Sequence, residues 1–246
     1  MKRILLGKFS QAELDQIIRK SSLISETGDQ IDFLSRQFLG IDYAESTLIG
    51  DANTPEVFVI NLEGVDCFTF IEYIETMRLS DSYSGFESNL KKVRYRSGMV
   101  DFLNRNHFFS DWKKYNRDFV DDVTEEIGNG KIVGVQKTLN EREDGTYFLP
   151  GIQPAQHKIL YIPSGALDIP VFNRLRTGDY IGIYSGLQGL DVSHAGIIIK
   201  DRCDIFLRHA SSQSEYRKVV DQDFKIYVTN KPGIIVLRPK AVERIT

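Results

Sequence analysis

The chain has 246 residues, 41% of them hydrophobic and 26% charged, with a formal net charge of −3 and a pI near 5.9. Those values are ordinary for a soluble globular protein and unlike the basic chains that bind nucleic acid. Two cysteines exclude a disulfide framework while leaving room for one bridge, and no apolar run reaches the length of a membrane span.

The N-terminal stretch MKRILLGKFSQAELDQ has a brief apolar run followed at once by polar helix, which is not a secretory leader. As written, the chain is expected in the cytoplasm, with the periplasm as the alternative if a leader was removed before numbering. Residues 1–50 read as helical. Ser10 and Glu13 form a capping box ahead of Leu14, Ile17 and Ile18 on one face, and a second helix is expected over 31–39, closed by Gly40. EVFVI (56–60) reads as a strand. The run EGVD then gives way to CFTFIEYIETM, where Phe70, Ile71, Ile74 and Met77 recur at helical spacing from Cys67 onward. SGFESNLKKVRY is again helical, and its basic cluster Lys91, Lys92, Arg94 and Arg96 reads first as a solvated face, with an acidic ligand as the other reading. The stretch MVDFLNRNHFFSDWKKYN resists assignment.

After about residue 130 the pattern changes. KIVGVQ, KILYIP, DYIGIYS, HAGIIIK, DIFLRHA and GIIVLRP are short β-branched runs bounded by turn residues, as antiparallel strands are. Helices first and strands later give an α+β class and one domain over 1–246.

Cys67 sits at a helix start, where free N–H groups and the helix dipole favour a thiolate nucleophile; buried cysteines also often merely pack. A thiol nucleophile needs a base and an orienting partner. In VSHAGIIIKDRCDIFLRHASS two strands flank a turn. With Asp201 and Arg202 at its centre, His194 and His209 face each other across the ladder on one side of the sheet. The arrangement suits a base held by a second imidazole, and equally a cross-strand pair with no chemistry. Cys203, in the turn, reads as structural.

DCFTF (66–70) resembles the helix start of the NlpC/P60 cysteine peptidases, RTGDYIGIY (176–184) their glycine–aspartate strand, and SHAGIII (193–199) their histidine strand, with His209 in the place of a third polar residue. RNHFFSDWKKYN, GLDVSHAGI and LRHASS further resemble the DUF1460 branch, which is N-acetylmuramoyl-L-alanine amidase-like. The resemblance implies a papain-like core, a nucleophile helix packed on an antiparallel sheet, with residues 1–50 as a helical extension and 80–170 as an insertion between the Cys and His segments. It also implies an amidase that cuts between N-acetylmuramic acid and L-alanine in peptidoglycan fragments, through a catalytic triad of Cys67, His194 and His209, without cofactor or metal. Arg96, Ser193 and Ser211 are the expected substrate contacts; His107 and Trp112 are expected to be structural. The alternatives are a γ-D-glutamyl-diaminopimelate endopeptidase, a metal hydrolase built on the two histidines, and a muropeptide-binding module without turnover.

Overall fold

The computed structural model describes residues 1–202 and 204–242. Among them are eight α-helices and a large antiparallel sheet, a mixed α and β architecture. The sheet runs, edge to edge, Val219–Asp223, Asp204–Ala210, Val192–Asp201, Tyr180–Tyr184, Gly233–Pro239, Ala155–Pro163 and Val133–Leu139; Val120–Asp122 adds to the far end of Gly233–Pro239. All six strands expected after residue 130 are present.

The helix Cys67–Arg78 is buried almost throughout, from Thr69 to Arg78. One side packs on the strands Val192–Asp201 and Asp204–Ala210, and the other on the helices Gln11–Ser22, Thr27–Arg36 and Tyr83–Arg94. Phe70, Ile71, Ile74 and Met77 join a core cluster with Leu14, Ile18, Ile31, Leu34, Phe86 and Leu90. Each such side chain, fully buried, contributes roughly 1.5–3 kcal/mol. A helix enclosed on both sides must also satisfy its polar residues. Glu72 accepts from Arg94 at 2.7 Å, and Glu75 accepts from Arg78 at 2.7 Å and from the Tyr180 hydroxyl at 2.8 Å.

Several expectations change. The N-terminal fifty residues are not all helical: Lys2–Leu5 pairs in parallel with Phe58–Asn61, and Asp42–Tyr43 with Gly64–Val65. The second helix spans Thr27–Arg36, earlier than expected, and Gly40 follows it at φ +82°. The basic cluster is not a uniformly solvated face. Lys91 and Lys92 are exposed, but Arg94 is fully buried and also donates to the Val59 carbonyl at 2.6 Å. The hairpin register is displaced by two residues, with Asp204 opposite Asp201 and Arg208 opposite Ile197. The turn therefore centres one residue later than expected, just past Arg202, which takes φ +52°. Because side chains alternate with period two, a shift of two keeps His194 and His209 on one face but makes them diagonal neighbours. Cys203 itself lies outside the described residues; Cys67 is a free thiol.

Candidate active site

Asp66 caps the helix: its Oδ1 accepts from the amides of Phe68 and Thr69 at 3.0 and 2.7 Å, and the Thr69 hydroxyl completes a capping box. Cys67 is thereby fixed as the first helical residue, half-buried against the strand that carries His194. The nearby backbone N–H groups of Ala195, Cys67 and Phe68 favour its thiolate. They do not prevail. Burial, reinforced by the Asp66 carboxylate, pushes the thiol up to about 12, so the helix start does not by itself yield a thiolate here.

His194 lies beside a β-bulge. Ile183 pairs with His194 but Tyr184 pairs with Val192, leaving Ser193 as the extra residue that re-aims the strand. His194 Nε2 lies 2.6 Å from His209 Nδ1, and His209 Nε2 lies 2.6 Å from the Gln222 side-chain oxygen. The diagonal reach is possible because Gly196 stands beside His209: a Cβ there would lie 3.0 Å from the His209 Cβ and 2.7 Å from Leu207. Tyr227 covers the pair, its ring centroid 6.1 Å from that of His194 and 5.1 Å from that of His209. Burial draws His194 down to about 3, helped by His209 and Lys231, and draws His209 down to about 4. Thiol and both imidazoles are therefore neutral around pH 7.

Cys67, His194 and Ala195 share a cavity of about 350 Å³ with Phe108, Phe109, Phe148 and Leu190. Ser193 lines it. Ser211 does not: it is fully buried, and its hydroxyl accepts from the Gln213 amide in the turn behind His209. Arg96 is also elsewhere. It pairs with Asp111 at 3.2 Å, stacks over Tyr115, and lines a neighbouring cavity with His157. His107 lines the Cys67 cavity while bonding the Phe102 carbonyl at 2.8 Å, and Trp112 is fully buried. Asp179 of the glycine–aspartate strand is a structural ion-pair partner of Arg238 at 2.8 Å. Among the described residues no group of three or more His, Cys, Asp or Glu side chains could hold a metal ion.

Sequence reasoning missed Gln222 and Tyr227. VVDQD has no clean alternation to mark it as a strand, and nothing in FKIYV marks its tyrosine. Phe108 and Phe109 lay in the unassigned stretch.

Residues 33–234 match the AmiA-like family, described as N-acetylmuramoyl-L-alanine amidase-like. The chain belongs to that family. Membership makes it an enzyme, a hydrolase of the amidase type with a peptidoglycan-type substrate. A crystal structure of a DUF1460 protein from Legionella pneumophila str. Philadelphia 1 shares the fold, with 23% identity and a TM-score of 0.80 over 93% of this chain and 94% of that one. An N-acetylmuramoyl-L-alanine amidase from Bacteroides uniformis ATCC 8492 is 28% identical, with a TM-score of 0.71 over 87% of this chain and 99% of that one. No curated protein matches the chain. Most of the AmiA-like match falls on the Cys67 helix, the sheet and the connections between them. Among the described residues no helix is long and apolar enough to cross a membrane.

Proposed function

We propose that this AmiA-like chain is a cysteine amidase of the NlpC/P60 type with a papain-like core. It hydrolyses the N-acetylmuramoyl–L-alanine amide of peptidoglycan fragments, with Cys67 as nucleophile, His194 as base and His209 as its orienting partner. The observation that carries the reading is the 2.6 Å His194–His209 bond, with His194 lining the same cavity as Cys67.

Because thiol and imidazole are both neutral at rest, the proton leaves sulfur for His194 as the sulfur attacks the lactyl carbonyl carbon. The developing oxyanion turns toward the Cys67 amide; Asp66 already occupies the amides of Phe68 and Thr69. Collapse breaks the C–N bond. The alanine nitrogen takes the proton from His194 and leaves, and the muramoyl group remains as a thioester on Cys67. A water, deprotonated by His194, then attacks the thioester, releasing the lactyl carboxylate and restoring the thiol. The apolar walls from Phe108, Phe109, Phe148 and Leu190 exclude bulk water and strengthen these charge interactions.

The test is mass spectrometry of a disaccharide-tetrapeptide incubated with wild-type protein and Cys67→Ala. Free disaccharide and free tetrapeptide from wild type alone are expected. A cut inside the peptide would replace the amidase by an endopeptidase, and an intact but bound muropeptide would replace both by a binding module.

A further inference from the structure

We propose that Gln222 is a positioning residue that dictates which nitrogen of His194 is free to act as the base. The inference rests on the cysteine-amidase reading for its catalytic meaning, but its structural content stands separately. Gln222 lies on the edge strand Val219–Asp223, one strand beyond His209. Its side-chain oxygen sits 2.6 Å from His209 Nε2, and its side-chain nitrogen donates to the Gln213 side-chain oxygen at 3.3 Å. The Gln213 backbone amide is held in turn by the Ser211 hydroxyl at 3.4 Å.

With the amide turned that way, only one pattern of protons satisfies the series. A carboxamide oxygen can only accept, so His209 Nε2 carries hydrogen and donates to it. A neutral imidazole has one N–H, so His209 Nδ1 is bare and accepts from His194 Nε2–H. His194 is then left with a bare Nδ1, the one ring nitrogen still able to take a proton. When that proton arrives, Nε2–H still donates to His209, so no group in the series needs to rotate. A neutral amide fixes this pattern without placing a charge beside the imidazoles. The charged and titratable groups around His209 are His194, Tyr227, Lys231 and Asp221, and Asp221 is itself clamped by Arg208 at 2.7 Å.

The experiment compares wild type, Gln222→Met and Gln222→Glu in two readouts. The first is the ¹⁵N spectrum of the histidine side chains, which needs no substrate. The second is kcat, KM and the pH profile on the disaccharide-tetrapeptide. In wild type His209 and His194 should each show a single tautomer with Nε2 protonated. Gln222→Met should mix the tautomers and lower kcat about 10- to 100-fold with KM within about twofold. Gln222→Glu keeps an acceptor, so it should retain the tautomer and recover most of kcat, while its charge moves the acid limb of kcat up by about one pH unit. Unchanged tautomers in Gln222→Met, or a Gln222→Glu as impaired as Gln222→Met, would overturn the assignment. If wild type turns over no muropeptide, the functional reading fails, and the ¹⁵N spectra still decide whether Gln222 sets the tautomers.

Discussion

The ring of Tyr227 meets His209 edge to face, with centroids 5.1 Å apart and planes at 66°. It comes from the short helix Phe224–Val228, which immediately follows the Gln222 strand, so one chain segment both orders and covers the imidazoles. Burial is the leading cause that holds both histidines low. Tyr227→Ala should wet the pair and let both rise toward the ordinary imidazole range. The acid limb of kcat, expected near pH 4 or below in wild type, should then move up by at least about one unit. Tyr227→Phe keeps the cover and should keep the limb. A pH–rate series on the three proteins checks this, and an unmoved limb in Tyr227→Ala rejects burial as the cause.

Asp66 pushes the neighbouring thiol up while its side chain caps the helix. Asp66→Asn removes the charge but retains the cap, since asparagine and aspartate are comparable N-caps. Stability should change by less than about 1 kcal/mol, whereas iodoacetamide should alkylate Cys67 several-fold faster than in wild type at pH 8. Peptide mass mapping separates this labelling from any at Cys203. Equal rates in the two proteins would mean that desolvation alone sets the thiol.

His107 is a further imidazole, half-buried and drawn down to about 4 chiefly by desolvation. The folded state favours its neutral form, so protonation of the unfolded chain below pH 6.5 costs stability as pH falls toward that value. His107→Gln retains an N–H donor for the Phe102 carbonyl but does not titrate. Between pH 7 and pH 5, wild type should lose about 1–2 kcal/mol more than this variant in urea unfolding. Parallel curves for the two proteins would contradict the depressed imidazole.

Gly196→Ala places a methyl 3.0 Å from the His209 Cβ and 2.7 Å from Leu207. His209 must yield, and the hydrogen bond to His194 lengthens with it. A fall in kcat of about 100-fold is expected, since displacements near 1 Å cost that much. Gly165→Ala, where nothing lies within 4 Å, is the neutral comparison. Steady-state kinetics of both variants give the answer; equal activity would show that the diagonal pair tolerates crowding.

The strands were readable because short β-branched runs between turn residues leave little choice of state, and the Cys67 helix was readable from its apolar stripe. The facing of His194 and His209 survived a wrong turn assignment only because the displacement was even. Three features lay beyond the sequence for physical reasons. The strand Val219–Asp223 is a sheet edge with a mostly polar, partly exposed surface, so it carries no strong hydrophobic pattern. Arg94 looks like part of a solvated run until Glu72, on another helix, is brought 2.7 Å from it. The thiol's direction depends on how deeply the cavity buries it, and burial is a property of the assembled fold. Arg96 and Ser211 were plausible by type and neighbourhood in the chain, yet one is taken by Asp111 and the other faces inward.

The edge strand is not left bare. The Gly40 amide donates to the Val219 carbonyl, the Val219 amide to the Ile41 carbonyl, and the Tyr43 amide to the Arg217 carbonyl. The segment 40–43 thus runs along the start of the strand that holds Gln222, while its Asp42–Tyr43 pairs with Gly64–Val65 just ahead of the Cys67 helix. A shortened chain beginning after residue 50 would expose that edge to pairing with another molecule and loosen Gln222 at the same time. The first fifty residues are therefore a poor place to trim in search of a minimal enzyme. Aggregation and loss of turnover would arrive together, from one missing seam.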